Sequence, residues 1–151
     1  MSQAEAATWR AGAPAPVVFT NGVFDLLHRG HVELLERARA EGGSLIVALN
    51  SDASARTLGK GPARPIVAAD DRARVVAAIG AVDCVVLFDE PTPARIVAVL
   101  QPDVIVKGGD YAATDVVGGA EVTARGGRVV IVPTIPGHST TRIAERLRDT
   151  S

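Results

Sequence analysis

Apolar positions fall into two spacings that alternate along the chain. The first is the short continuous run, rich in β-branched residues. Val17-Val18-Phe19 is one, and Leu45-Ile46-Val47-Ala48-Leu49 and Cys84-Val85-Val86-Leu87-Phe88 follow. Val104-Ile105-Val106 and Val129-Val130-Ile131-Val132 complete the set. Runs this short and this apolar predict buried strands over 17–20, 44–49, 84–88, 103–107 and 128–132. The second spacing is helical. Val32, Leu34, Leu35 and Ala38 predict a helix over 31–40, closed by Gly42-Gly43. Val75, Val76 and Ile79 predict one over 70–79, ended by Gly80. A third is predicted over 93–100, with Thr92 as cap and Pro93 in its first turn. Two more are predicted over 116–124, stopped by Gly126-Gly127, and over 140–148, capped by Ser139.

Strands that are apolar along their whole length, each followed by a helix, predict an α/β fold: a doubly wound, five-stranded parallel sheet with helices on both faces. In such sheets ligands bind outside the carboxyl ends of the strands, where the strand order reverses. The unusual connections, 20–31, 51–69, 107–111 and 134–142, all leave carboxyl ends. Those at the other edge, Gly42-Gly43, Ala81-Val82 and Gln101-Pro102, are plain. This asymmetry predicts a site on one edge.

Composition narrows the options. A length of 151 residues predicts one domain, and 47% apolar residues can fill its core. Aromatics are only 3%, so aliphatic side chains must do most of that filling. A net charge of −1 argues against a general nucleic-acid surface, so anionic ligands need local cations. The single cysteine, Cys84, lies in a predicted buried strand and reads as a small core hydrophobe. No signal-peptide pattern or membrane-length apolar run is present, which predicts a cytoplasmic protein without a membrane partner. Residues 1–16, rich in Ala and Pro, are expected to be a mobile lead-in to a domain over 17–151. They carry the only tryptophan, Trp9, expected to pack on the domain or on a partner.

Candidate chemistry gathers at the predicted edge. Thr20-Asn21-Gly22-Val23-Phe24-Asp25 follows the first strand, and His28-Arg29-Gly30-His31 opens the helix after it. Two histidines three apart also suit a helix cap and a surface residue. Here Gly30 permits close backbone approach, and a helix start offers unsatisfied N–H groups suited to phosphate. A metal site would need further His, Cys or carboxylate ligands nearby, and no such cluster is evident in the sequence. The 51–69 connection is long and holds Arg56, Lys60 and Arg64. Such a loop either closes over phosphates, with Lys60 the preferred contact, or is a solvated connector. Arg72, a cation where a helix dipole disfavours one, reaches an anion or pairs with a carboxylate. Lys107-Gly108-Gly109-Asp110-Tyr111 offers Lys107 to phosphate, Gly108 for backbone approach and Asp110 to a sugar or base. Ser139 is the expected cap of the last helix; Ser139, Thr140 and Thr141 could also cradle an anion, and Arg142, one turn in, could add a bidentate phosphate contact.

These groups suit one reaction class. A phosphate monoester, with a second pKa of about 6, is already a nucleophile at neutral pH. Attack on the α-phosphorus of a nucleotide then needs charge neutralisation and alignment rather than a general base.

The chain resembles the D-glycero-β-D-manno-heptose 1-phosphate adenylyltransferases of the HxGH nucleotidyltransferase superfamily. The resemblance rests on 20–31, on Val47-Ala48-Leu49-Asn50-Ser51-Asp52, on 107–111 and on Gly137 with Ser139-Thr140-Thr141. It implies a Rossmann-like nucleotidyltransferase fold. It implies transfer of AMP from ATP to heptose 1-phosphate, giving ADP-heptose and pyrophosphate for the lipopolysaccharide inner core. Mg2+ would be bound through the nucleotide phosphates. His28 and His31 would contact the triphosphate and stabilise the transition state. Asn21, Gly22, Val23 and Phe24 would border nucleotide and sugar phosphate, and Ser139, Thr140 and Thr141 the nucleotide phosphates. The family also occurs fused to a sugar kinase, for which this chain has no room, so the separate form is expected. A homodimer suits the superfamily but no periodicity in the chain points to one. The rivals are a cytidylyltransferase for a small alcohol phosphate such as glycerol 3-phosphate, and a non-catalytic nucleotide-binding module.

Overall fold

A computed structural model describes residues 1–59, 64–133 and 140–149; the side chains of Thr140, Thr141, Arg142 and Asp149 lie outside that description. The strands are β1 (Val17–Gly22), β2 (Ser44–Asn50), β3 (Cys84–Phe88), β4 (Val104–Gly108) and β5 (Arg128–Val132). All four pairings are parallel, in the order β3-β2-β1-β4-β5. The expected five-stranded parallel sheet is therefore present. The helices are α1 (Gln3–Ala11), α2 (Arg29–Ala40), α3 (Asp52–Arg56), α4 (Ala69–Ala77), α5 (Ala94–Leu100), α6 (Gly119–Ala124) and α7 (Thr140–Asp149), with a 3-10 turn at Ala113–Asp115.

Alternation along each strand divides the core into two layers. Val17, Phe19, Ile46, Ala48, Val86 and Ile105 pack with Ile96, Val97, Leu100 and Val122 from α5 and α6. Val18, Leu45, Val47, Leu49 and Val106 pack with Leu35, Ala38 and Val76 from α2 and α4. The chain thus winds outward from β1 through β2 to β3 over one face, then returns to β4 and β5 over the other. Right-handed crossovers require this change of face when the winding direction reverses. The reversal falls between β1 and β4, where the loops after those strands separate and leave a crevice.

Residues 1–16 depart from expectation. Expected as a mobile lead-in, they contain helix α1 over residues 3–11, which packs on the domain. Ser2 Oγ accepts from Glu5 N–H at 3.1 Å and Glu5 Oε1 accepts from Ser2 N–H at 3.4 Å, a reciprocal cap. Ala6 is fully buried, and Ala7 and Trp9 pack against the first core layer. The Arg10 guanidinium donates to the Leu100 and Gln101 carbonyls at 3.1 and 3.0 Å, tying α1 to the end of α5. Alanine content that reads as low complexity is also the best helix-forming composition, and the Ser-x-x-Glu signal was present.

Three smaller differences follow from local chemistry. Ser51 caps the short helix α3 inside the connection expected to be irregular. The helix expected over 116–124 starts only at Gly119, because Gly118 takes φ +83 and a Cβ there would strike Val97. Helix α5 begins at Ala94, with Pro93 in the cap position and Thr92 Oγ1 3.4 Å from Ala94 N–H. Cys84 is buried as expected, and burial, the largest influence, raises its thiol pKa.

Candidate functional site

The connection from β1 to α2 is held in a costly shape. Phe24 and Leu26 take φ values of +53 and +49, a region that costs a bulky L-residue about 1–2 kcal/mol. Asp25 between them is 2% exposed and fixes the turn. Its Oδ2 accepts from Ile66 N–H at 2.7 Å and from Arg64 Nε at 3.1 Å, while Oδ1 accepts from Val67 N–H at 2.9 Å. Gly22 is needed nearby, since a Cβ there would sit 3.0 Å from the Phe24 ring. The ring is thereby folded back over β1 into the second core layer.

The two histidines form a reciprocal cap on α2. His28 Nδ1 accepts from Gly30 N–H at 3.0 Å, and His31 Nδ1 accepts from His28 N–H at 3.2 Å. The rings stack with centroids 3.9 Å apart, and Phe24 meets His31 at 5.2 Å. The expected supply of free N–H groups at this helix start is thus reduced, because imidazole nitrogen has taken the Gly30 N–H. That bond has a chemical consequence. A neutral imidazole whose Nδ1 accepts must carry its proton on Nε2. Both rings therefore present Nε2–H as a donor, the form suited to phosphoryl oxygen.

Both rings line a cleft of about 670 Å³ at the β1/β4 reversal. Asn21, Gly22, Val23, Phe24 and Gly30 line it as expected, with Lys107 and Gly108 on the β4 side. Gly108 lets Leu34 approach, since a Cβ there would lie 3.2 Å from Leu34 Cδ2. The Lys107 ammonium sits 5.4 Å from the Tyr111 ring centroid, and Tyr111 also lines the cleft. The rest of the wall is mostly apolar: Pro91 and Pro93 after β3, Val116 and Val117 beyond the 3-10 turn, and Pro133 after β5.

Two candidate residues lie away from the cleft wall. Arg72 is 2% exposed and does not line the cleft. Its Nε donates to the Val67 carbonyl at 2.8 Å, Nη1 to the Val23 carbonyl at 2.6 Å and Nη2 to Asp52 Oδ1 at 2.9 Å. Of the two outcomes expected for Arg72, pairing with a carboxylate is the one found: it clamps two loops, and the backbone oxygens explain a buried cation at a helix start. Asp110 is exposed and absent from the cleft wall, because Gly109 at φ +117 turns the chain there. Lys60 and Ser139 lie outside the described residues, as do the side chains of Thr140, Thr141 and Arg142.

Sequence reasoning overlooked Asp25 and Arg64 as members of one unit. Asp25 stands inside the 20–31 motif, but nothing in the sequence marks it as buried. It also overlooked Asn50 and the Pro91–Pro93 wall, although both lie at carboxyl ends, where the fold itself predicts ligand contact.

The model of the cytidylyltransferase-like family matches residues 19–146. The chain belongs to the cytidylyltransferase-like family. Among the relatives of this family member, it is 56% identical over 140 residues to the bifunctional protein HldE of Koribacter versatilis. It is 55% identical over 133 residues to the HldE of Ectopseudomonas mendocina. These alignments take up 93% and 88% of the chain, which spans 28% of the length of each relative. Among solved structures, a lipopolysaccharide core biosynthesis protein from Thermoplasma volcanium superposes with a TM-score of 0.65 at 28% identity. That match covers 79% of this chain and 95% of the other. Pantothenate synthetase from Thermus thermophilus, at 22% identity and a TM-score of 0.59 over 89% of this chain and 60% of that one, shares the fold.

Proposed function

We propose that this cytidylyltransferase-like protein transfers AMP from ATP to D-glycero-β-D-manno-heptose 1-phosphate, releasing pyrophosphate and forming ADP-heptose for the lipopolysaccharide inner core. The observation that carries the reading is the stacked histidine pair on the cleft at the β1/β4 reversal, each Nδ1 accepting a backbone N–H, which in a neutral ring leaves the proton on Nε2. The choice of adenine and heptose rests on the sequence resemblance. The likeness to the HldE proteins and to a lipopolysaccharide core biosynthesis protein supports it.

An oxygen of the sugar phosphate attacks the α-phosphorus, a P–O bond forms, and the bond to pyrophosphate breaks on the opposite side. The attacking oxygen is already ionised at neutral pH, so no residue need take a proton from it. His28 and His31 donate from Nε2 to phosphoryl oxygens whose charge grows in the transition state. Lys107 adds a cation across the cleft. Lys60 in the connection before α4, and Ser139, Thr140, Thr141 and Arg142 at the start of α7, contribute further phosphate contacts in this reading. Among the described residues no three His, Cys or acidic side chains are gathered as a metal cage. Asp25, the most buried carboxylate on the cleft, is engaged by Ile66, Val67 and Arg64. These facts fit Mg2+ held through the nucleotide's phosphates, where it would offset their negative charge. Among the described residues no helix is long and apolar enough to cross a membrane. The reaction is assigned to the cytoplasm, where ATP is supplied.

The family description favours one rival, a cytidylyltransferase acting on a small alcohol phosphate such as glycerol 3-phosphate. Pyrophosphate release measured with ATP or CTP, each with heptose 1-phosphate or glycerol 3-phosphate, separates the readings. ATP with heptose 1-phosphate is expected to be much the fastest pair. A preference for CTP selects the rival, and no release from any pair selects a non-catalytic nucleotide-binding module.

A further inference from the structure

We propose that Arg64 is a direct contact for a substrate phosphoryl oxygen, and that Asp25 is the residue that positions it. The inference rests on the proposed nucleotidyl transfer for its setting and goes beyond it in naming the cation. Arg64 lines the cleft with the histidine pair, and its side chain is only 14% exposed. A guanidinium has five N–H donors in a planar fork. Nε is committed to Asp25 Oδ2 at 3.1 Å, which orients the plane and leaves the Nη edge for a bidentate anion.

The support for Asp25 is itself built. Val67 is held from both sides, its N–H by Asp25 at 2.9 Å and its carbonyl by Arg72 at 2.8 Å. Arg72 also holds the Val23 carbonyl at 2.6 Å, two residues before Asp25. The backbone on either side of Asp25 and the segment that carries Arg64 are therefore locked to each other. A carboxylate buried to 2% exposure beside two left-handed residues is a costly arrangement if it only joins two loops. It is well matched to holding a guanidinium in a fixed plane at a polyanion site. Arg56, at the end of α3, is exposed, and no ion pair to it is found among the described residues.

The test uses calorimetric titration of the whole chain with MgATP, with D-glycero-β-D-manno-heptose 1-phosphate, and with inorganic pyrophosphate. Arg64→Gln is expected to weaken at least one of these about tenfold or more, as for loss of hydrogen bonds to a charged group. Weakening of MgATP and pyrophosphate together assigns the contact to the nucleotide. Weakening of the sugar phosphate alone assigns it to the acceptor. Asp25→Asn should weaken the same arm, yet add less than about twofold in the Arg64→Gln background, because it acts through Arg64. Additive losses would overturn the positioning role. If Asp25→Asn does not fold, Arg64→Lys takes its place: it keeps the charge, loses the fork, and should bind several-fold more weakly than wild type. Wild-type affinity of Arg64→Gln on all three arms overturns the proposal. If wild type also releases pyrophosphate, nucleotidyl transfer stands and only this inference falls. If wild type turns nothing over, while Arg64→Gln loses pyrophosphate binding, the reverse holds.

Discussion

Asp103 at the amino edge of the sheet and Asp25 at the carboxyl edge use the same bonds to different ends. Asp103 Oδ2 accepts from Val17 N–H at 2.7 Å and lies 3.4 Å from Arg10 Nη2. Asp83, on the same edge, accepts from Leu45 N–H at 2.9 Å and pairs with Arg39 at 3.1 Å. Asp25 likewise takes backbone N–H groups and a guanidinium. Exposure separates them. The side chains of Asp103 and Asp83 are 44% and 36% exposed, that of Asp25 only 1%. Water and salt screen the first pair, so they locate strand starts at little cost and with little gain. The carboxyl-edge carboxylate has lost its hydration, so each of its bonds is needed. The same device serves to register strands at one edge and to hold a loop over a cleft at the other.

The largest expected effect falls at Arg72. Arg72→Ala removes bonds to two carbonyls and Asp52, and is expected to cost about 3–5 kcal/mol of stability, as for losing one member of a buried charged network. A urea midpoint close to wild type would show that the clamp is dispensable. Asp25→Asn, which keeps shape but loses charge and acceptor capacity, should cost about 1–3 kcal/mol in the same measurement. Asp103→Asn should cost less than about 1 kcal/mol. Equal losses for Asp25→Asn and Asp103→Asn would erase the distinction between the edges.

The fold was largely legible because it depends on hydrophobic period. Strands β3 and β5 match their expected bounds, and β1, β2 and β4 shift by one or two residues. The site's edge was legible because the unusual loops all leave carboxyl ends. What the sequence hid was long-range polar bonding. Arg72 read as a candidate anion contact because its partners, the carbonyls of Val23 and Val67, carry no signature in the sequence. Asp25 was passed over because a single aspartate near a strand end gives no sign of being buried. Helix α1 was missed for another reason: a local capping signal was outweighed by alanine and proline composition.

The imidazoles act through Nε2 on phosphate, beyond capping α2, in the proposed reaction. His28→Asn separates these two roles. Asparagine is among the best N-caps, so it can accept from Gly30 N–H in place of Nδ1 while removing the Nε2–H donor. With ATP and heptose 1-phosphate, kcat should fall by roughly 10²–10³, as for loss of one transition-state donor, while the urea midpoint stays near wild type. Near-normal kcat in His28→Asn would contradict the claim and reduce the histidine pair to a helix cap.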